Sequence, residues 1–308
     1  MLKFVVAAFG VGLVVGGASA GERAAALRVV QDATTVSVFS GDRLLMEYRY
    51  TEVPFKPYVK QLCSPSGVNV LRDAPHDHLH HHALMFAVGV DGVDFWSETA
   101  ACGKQVQMSL DGVKSSSRDG QAAAEFTQEI EWVKPGKTQL LRERRTLELH
   151  QGGDPAASLL VWKSRLQPAQ DKDSVSLGGS HYFGLGMRFA ESMDKGGRFF
   201  NAAGKEGEIV RGDERLVPAK WCAYTASVGD KKVTVAIFDH PQNPRHPARM
   251  FTMAKPFAYL SATLNLWKEP LVIKAGQPLE LRYGVAVCDG EVAAAQIERL
   301  YITYGSRH

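Results

Sequence analysis

The sequence predicts an all-β protein, built as a large antiparallel β-sandwich with one short C-terminal helix. Most of the chain consists of short runs rich in valine, threonine, leucine and aromatic residues, separated by glycine, proline and aspartate turn signals. The segment 124–132 alternates between apolar and polar side chains, which is the period of a half-exposed strand. A convincing helical pattern is present only at residues 291–300. These observations favour a fold in which two β-sheets pack face to face.

The first residues have the layout of a secretory signal peptide. Lys3 precedes an apolar run that ends in Ala18-Ser-Ala20, so we expect cleavage after Ala20. The remaining residues, 21–308, contain no repeat or linker and are predicted to form a single domain. No later stretch approaches the roughly 20 apolar residues of a spanning helix, so no membrane partner is expected after cleavage. The predicted location is periplasmic or secreted.

Composition excludes some classes of function. The formal net charge is +3, with acidic and basic residues interleaved, so the chain lacks the basic character of a nucleic-acid-binding protein. Four cysteines lie far apart without a Cys-x-x-Cys spacing, which argues against a zinc ribbon or a redox motif. Their pairing is left open.

Several strands can be placed by pattern. A turn at Gly41-Asp42 predicts a hairpin of residues 34–39 and 43–50, and the apolar run 83–90 predicts a buried strand. Three long strands are expected to be adjacent and antiparallel: 124–132, 139–149 and 158–166. The charged residues on them are expected to form a solvated sheet face.

Half of the ten histidines lie within residues 76–82, in a predicted loop. In an extended segment His76, His78, His80 and His82 would share one side and His81 the other. Imidazole titrates near neutral pH and also ligates metals, so the spacing permits general acid/base chemistry or a divalent metal site. The metal ligands would be His78, His80 and His81, which suit zinc, copper or iron better than calcium. The alternative is a solvated loop with structural histidines.

Trp96 and Glu98 follow a predicted turn and suit a sugar. An aromatic ring can stack on sugar C–H groups while a carboxylate accepts hydrogen bonds from hydroxyls. Core packing is the alternative for the aromatic residue. Both residues are therefore candidates for substrate binding, with Trp96 as a stacking platform.

Two further segments carry candidate residues. The glycine-rich stretch 178–189 is predicted to be a strand that holds His181 and Arg188, and glycine in a strand often marks a close approach to the backbone. The segment 239–247 contains three prolines, which stiffen a loop that carries His240, Asn243, Arg245 and His246. The alternative for His181 is a structural histidine in the core. The alternative for residues 239–247 is a structural turn with polar surface residues.

Taken together, these motifs resemble a secreted bacterial family of unknown function that is labelled methane oxygenase (PmoA-like). The resemblance covers nearly the whole mature chain, although Leu79 and His82 stand where that family commonly has proline and arginine or glutamine. It implies a galactose-mutarotase-like supersandwich, a fold shared by sugar epimerases, polysaccharide lyases and some glycoside hydrolases. Ser180-His-Tyr-Phe183 is similar to the mutarotase segment that carries an acid histidine. The matching motifs are 65–67, 72–73, 77–81, 92–98, 184–188, 238–247 and 281–283.

We therefore expect a periplasmic carbohydrate-active enzyme that uses histidine acid/base chemistry, with epimerisation, β-elimination and hydrolysis all open. A histidine-ligated metal enzyme and a non-catalytic glycan-binding protein are the alternatives. The expected partner is a sugar or oligosaccharide, and no cofactor is required beyond the divalent metal of the alternative. The catalytic candidates are His78, His81, His181, Arg188, His240, Arg245 and His246, and the substrate-binding candidates are Trp96, Glu98 and Asn243.

Overall fold

A computed structural model describes residues 26–118 and 121–307. The predicted signal peptide, residues 1–20, lies outside the described residues. The strands are β1 (Leu27–Gln31), β2 (Thr35–Ser40), β3 (Arg43–Arg49), β4 (Tyr58–Leu62), β5 (Leu84–Ala87), β6 (Gly89–Val90), β7 (Val93–Asp94), β8 (Lys104–Arg118), β9 (Gln121–Val133), β10 (Gln139–Gly152), β11 (Ala157–Pro168), β12 (Ser174–Gly178), β13 (Gly184–Arg188), β14 (Arg198–Asn201), β15 (Glu208–Arg211), β16 (Glu214–Pro218), β17 (Trp221–Val228), β18 (Lys231–Asp239), β19 (Arg249–Met253), β20 (Tyr259–Thr263), β21 (Leu271–Lys274) and β22 (Leu279–Asp289). A 3₁₀ turn spans Glu191–Asp194, and helix α1 is Ala294–Arg307.

The described strands form three antiparallel sheets. A ten-stranded sheet has the order β1-β2-β3-β4-β5-β13-β20-β19-β16-β15. An eight-stranded sheet has the order β14-β17-β18-β22-β11-β10-β9-β8, and a small sheet has the order β21-β12-β6-β7. The predicted all-β class, the antiparallel sandwich and the C-terminal helix are confirmed.

Alternation along the strands separates two apolar cores. On β11, Leu160 and Trp162 belong to a large core that includes residues of both large sheets, because successive side chains point to opposite faces. Val161 points the other way, into a second core beneath α1. At Gly284 a Cβ would lie 3.1 Å from the Tyr304 ring, so the absence of a side chain there lets α1 pack closely on the sheet.

Most of the strand predictions are confirmed with small changes. The hairpin is β2 and β3, with Gly41 at φ +58° in its turn. The three long strands are β9, β10 and β11, paired in that order. The run 83–90 is divided into β5 and β6, because the chain leaves the ten-stranded sheet after Ala87 and enters the small one at Gly89. Helix α1 begins later and extends further than predicted.

The prediction of a solvated charged face on the long strands is wrong for two residues. Glu143 and Arg145 are both 0% exposed and lie in the large core. The Arg145 guanidinium donates to both Glu143 oxygens at 2.8 Å and lies over the Trp162 ring, while Trp132 Nε1 donates to Glu143 at 2.9 Å. Each buried charge is thereby paired and hydrogen-bonded, which is the condition for its burial.

The predicted strand 178–189 is also wrong in part. It consists of β12 and β13 separated by a turn, in which the Phe183 amide donates to the Ser180 carbonyl at 3.2 Å. Gly179 has φ +142°, where a Cβ would lie 2.2 Å from the Phe183 ring. His181 therefore lies in a turn, whereas Arg188 lies on a strand.

Two further properties concern the described residues as a whole. The four cysteines are buried free thiols. No helix among these residues is both long enough and apolar enough to span a bilayer.

We expect Glu143→Ala to lower the free energy of unfolding by about 3–5 kcal/mol, because it leaves the Arg145 charge buried without its partner. Urea denaturation measures this loss. The matched control is Arg144→Ala on the same strand, which removes an exposed ion pair with Glu129 and should cost less than about 1 kcal/mol. Equal losses in the two variants would contradict the importance of the buried pair.

Candidate functional site

A cavity of about 480 Å³ lies between the histidine loop, residues 73–82, and one part of the ten-stranded sheet. This volume is within the range of about 300–1,000 Å³ that is usual for small-molecule sites. The loop contributes His78, His80 and His81 to the lining. Arg211 and Glu214 are the charged residues of the other walls. The rest of these walls is mainly aromatic and includes Trp96, Tyr182, Phe251, Phe257 and Tyr259.

The histidine loop is folded by turns, so its side chains do not alternate as an extended segment would. The His78 amide donates to the Pro75 carbonyl and the His81 amide donates to the His78 carbonyl, both at 2.9 Å. Asp73 and His82 then pair as a β-bridge that closes the loop. The predicted grouping of His82 with His78 and His80 is therefore wrong: His78, His80 and His81 line the cavity, and His82 points into the protein.

The rings of the cavity histidines pack on one another. His78 and His81 stack with centroids 4.6 Å apart and planes 22° apart, and His80 meets His81 edge-on at 4.6 Å. Stacked rings direct their in-plane nitrogens along roughly parallel lines and not at one point. Among residues 26–118 and 121–307, no group of three or more histidine, cysteine or acidic side chains is arranged to hold a metal ion. This geometry does not favour the metal ligand set His78, His80 and His81.

Burial keeps two of these imidazoles uncharged. It lowers the pKa of His81 to about 2, and the charges of His80, His78 and Arg188 act in the same direction. Burial and the charges of His78 and Lys56 likewise lower the pKa of His80. Near neutral pH the two rings are therefore neutral groups that can both donate and accept hydrogen bonds.

His82 anchors the loop from beneath. Its Nδ1 lies 2.8 Å from Asp73 Oδ1 and its Nε2 lies 3.0 Å from Glu98 Oε1. The buried Lys56 ammonium is 2.7 Å from the same Glu98 oxygen, and the Tyr58 hydroxyl donates to Asp73 at 2.8 Å. Glu98 is thus engaged by two buried partners and does not line the cavity, in contrast to its predicted role in substrate binding.

We call the group formed by His82, Asp73, Glu98 and Lys56 the His82 anchor. Opposing effects set the pKa values of its residues. Burial lowers the pKa of His82, but contacts with Asp73 and Glu98 outweigh it and leave the pKa above its ordinary value. Burial raises the pKa of Glu98, but His82 and Lys56 outweigh it and leave the pKa below its ordinary value. The anchor therefore favours a charged imidazole next to a charged carboxylate.

Glu214 is a cavity residue that sequence reasoning missed. It begins β16, is 5% exposed, and its Oε2 lies 3.3 Å from His181 Nε2. Its Oε1 accepts a hydrogen bond from Arg211 at 2.6 Å. His181 is linked to the cavity through this contact and through ring contacts with Tyr182 and Phe251. The structure thus connects His181 with the histidine loop around one cavity.

Trp96 lines the cavity but cannot serve as an exposed platform. It is 0% exposed and stacks on Phe183 with ring centroids 5.1 Å apart, so neighbouring rings already cover it. Arg188 does not line the cavity. It is 1% exposed, lies 3.4 Å from the Phe257 ring centroid and donates to Asp77 at 3.1 Å, so it supports the cavity wall from behind the lining residues.

Four polar atoms on cavity residues are buried without a hydrogen-bond partner among the described residues. They are His78 Nδ1, His81 Nδ1, Trp96 Nε1 and the Tyr259 hydroxyl. Burial raises the pKa of Tyr259 well above its ordinary value, so its phenol stays protonated. An unpaired buried polar group costs about 1–3 kcal/mol, which a structure tolerates most readily at a functional site. Ligand hydroxyl groups are suitable partners for such atoms.

The proline-braced loop, residues 239–247, lies elsewhere. Asp239 accepts a hydrogen bond from Asn243 Nδ2 and lies next to His246 Nδ1, both at 2.7 Å. The buried His240 ring meets Tyr304 of α1 edge-on at 5.7 Å. These contacts bind the loop to itself and to α1, although His240 Nε2 is buried without a hydrogen-bond partner among the described residues.

Arg245 has a similar structural environment. It has φ +62° and donates to three main-chain carbonyls of the segment 264–270: Leu264, Glu269 and Pro270. In the described structure none of His240, Asn243, Arg245 and His246 lines the cavity. These four residues are sequence-predicted candidates for the same enzyme site as the histidines of residues 76–82. The structure does not bring them to that cavity, because the proline-braced loop is bound to the surrounding scaffold.

Comparisons with known proteins add a family and a set of structural neighbours. Residues 35–302 match the family of unknown function DUF6807, so the chain belongs to that family. No curated protein matches the sequence. Among solved structures, the chain is similar to Slr1438 from Synechocystis sp. PCC 6803, with 7% identity and a TM-score of 0.38 over 86% of this chain and 96% of that one. It is also similar to YeaD from Salmonella typhimurium, a candidate mutarotase, with 11% identity and a TM-score of 0.37 over 86% and 90% of the two chains. The methane oxygenase label stays a prediction.

The stability contributed by the His82 anchor should depend on pH. The raised pKa of His82 gives stability that is complete below its ordinary value of 6.5 and is lost as pH rises through the folded value. The lowered pKa of Glu98 gives stability that is present above its ordinary value of 4.5 and is lost as pH falls through the folded value. The anchor should therefore contribute most between these two ordinary values.

Unfolding of the wild type and of His82→Asn, followed from pH 5 to pH 9, tests this. We expect the variant to lose about 1–3 kcal/mol at pH 5.5, because it loses the buried hydrogen bond to Asp73 and the ion pair with Glu98, and we expect the difference to shrink above neutral pH. His76→Asn, on an exposed residue of the same loop, is the control. A difference that stays constant or grows with pH would argue against a charged anchor.

Proposed function

We propose that this member of the DUF6807 family is a carbohydrate-active enzyme of the periplasm or the extracellular space that transfers protons on a sugar bound in the 480 Å³ cavity. The observation that carries the proposal is the pair formed by the buried Glu214 and the half-buried His181, at a cavity whose opposite wall presents neutral imidazoles. Aromatic walls and buried polar atoms without partners suit a ligand that has both C–H faces and hydroxyl groups.

In the proposed chemistry Glu214 and His181 act as one basic unit. Glu214 takes a proton from a sugar carbon or hydroxyl, and His181, 3.3 Å away, balances the charge of the carboxylate or accepts the proton from it. His80 and His81 stay neutral and donate hydrogen bonds to the sugar oxygen on which negative charge develops. A neutral imidazole can act as such an electrophile when its pKa is depressed. Arg211 lines the cavity, unlike the candidates Arg188 and Arg245, and its guanidinium stabilises the negative charge that develops on the sugar.

The number of carboxylates favours an epimerase or lyase type over hydrolysis. Most glycoside hydrolases place two carboxyl groups about 5–10 Å apart across the scissile bond. Among the described residues that line the cavity, Glu214 is the one carboxylate. Proton transfer without a second carboxylate is the chemistry that these side chains support best.

We expect Glu214→Gln and His181→Asn each to reduce turnover by about 10²- to 10⁴-fold, the usual contribution of a general acid or base. The measurement is ¹H NMR of glucose, galactose, mannose and their di- to tetrasaccharides incubated with purified protein, which detects changes in configuration, elimination and chain cleavage. Glu208→Gln is the matched control, because Glu208 is exposed on the neighbouring strand β15.

Retained activity in Glu214→Gln would contradict the proposed base. A wild-type protein that binds these sugars and changes none of them would be a glycan-binding protein instead. Thermal unfolding of each variant shows whether the fold is retained.

A further inference from the structure

A second depression lies next to the cavity, on the other side of the turn 180–183. This groove has a volume of about 510 Å³, and its lining includes Asp94, Gly178, Ser180, His181 and Trp267. We infer that the groove is a second sugar-binding subsite and that the substrate is an oligosaccharide or glycoside longer than one sugar unit. The inference rests on the proposed function of the neighbouring cavity and extends it to substrate length.

The groove and the cavity share a wall. The His181 ring lies 6.1 Å from the ring of Trp267 in the groove and 5.4 Å from that of Phe251 in the cavity. Phe183 lines the groove and stacks on Trp96 of the cavity. A ligand in the groove therefore lies beside the catalytic pair, where the next unit of a sugar chain would be expected.

Trp267 has the exposure that Trp96 lacks. Its side chain is 42% exposed, which is unusual for so large an apolar group and leaves ring surface available for stacking. The Lys268 ammonium lies 4.8 Å from the centre of its ring. This flexible side chain can yield to a sugar or donate to its hydroxyls, and Asp94 and Ser180 supply further polar groups at the groove.

The proline-braced loop gains a role in this arrangement. Arg245 donates to the carbonyls of Leu264 and Pro270, which flank Trp267, and to that of Glu269. The loop thus fixes the segment that presents the exposed indole.

Gly178 is a groove residue whose small size the fold does not require. A Cβ at this position would meet nothing within 4 Å, and its φ lies outside the left-handed region. At most other described glycines, a positive φ or a close neighbour explains the glycine. A ligand that approaches the backbone would account for the absence of a side chain at residue 178.

Binding as a function of chain length tests the inference. The full-length wild type, Trp267→Ala and Gly178→Leu are titrated calorimetrically with glucose, galactose and mannose and with their di- to tetrasaccharides. We expect the wild type to bind at least one oligosaccharide series about tenfold more tightly than its monosaccharide, the scale of one aromatic stacking contact. Both variants should lose that advantage and keep the monosaccharide Kd.

Ser176→Leu is the matched control, because Ser176 lies two residues from Gly178 on β12 and does not line the groove. It should bind as the wild type does. Equal affinity for mono- and oligosaccharides, or an advantage that survives both groove variants, would overturn the inference. Tighter oligosaccharide binding without turnover would support the sugar-binding groove and contradict the proposed enzyme activity. Turnover without any dependence of affinity on chain length would support the enzyme activity and contradict the groove.

Discussion

The position of His82 between two carboxylates is the interaction on which the candidate site depends. Asp73 on one side and Glu98 on the other fix the end of the histidine loop, and Lys56 balances the second carboxylate from within the protein. Because the loop closes at this point, its turns project His78 and His81 over the sheet. Arg188 holds the middle of the loop through Asp77, while His82 fixes its end.

The sheets supply the opposite wall of the same cavity. Glu214 on β16 and Tyr259 on β20 belong to the ten-stranded sheet, while the turn before β13 brings His181 against Glu214. Neutral imidazoles on one side, and a buried carboxylate paired with the half-buried His181 on the other, make two chemically different walls. That asymmetry separates a proton acceptor from hydrogen-bond donors, which is the arrangement that proton transfer on a sugar needs.

Alternation and turn residues predicted the strands well, but charge was a poor guide to exposure. Glu143 and Arg145 alternate in step with the buried Leu147, so they point into the core, where each satisfies the other. Glu214 was missed because it lies between the charged residues Asp213 and Arg215 in a polar, glycine-rich stretch. Its place two residues before the buried Leu216, on the same face of β16, was the available signal. The three prolines predict a stiff loop, but stiffness alone does not distinguish a catalytic loop from a supporting one.

The most direct test of the account is an NMR titration of the histidine side chains with glucose, galactose and mannose in turn. If one ligand contacts both walls, the imidazole signals of His78, His81 and His181 shift together with a single saturating Kd for at least one sugar. The imidazole signals of His240 and His246, which lie in the proline-braced loop away from the cavity, do not shift. Signals of the cavity histidines that remain unchanged with all three sugars, or that respond with separate affinities, would contradict a shared sugar site.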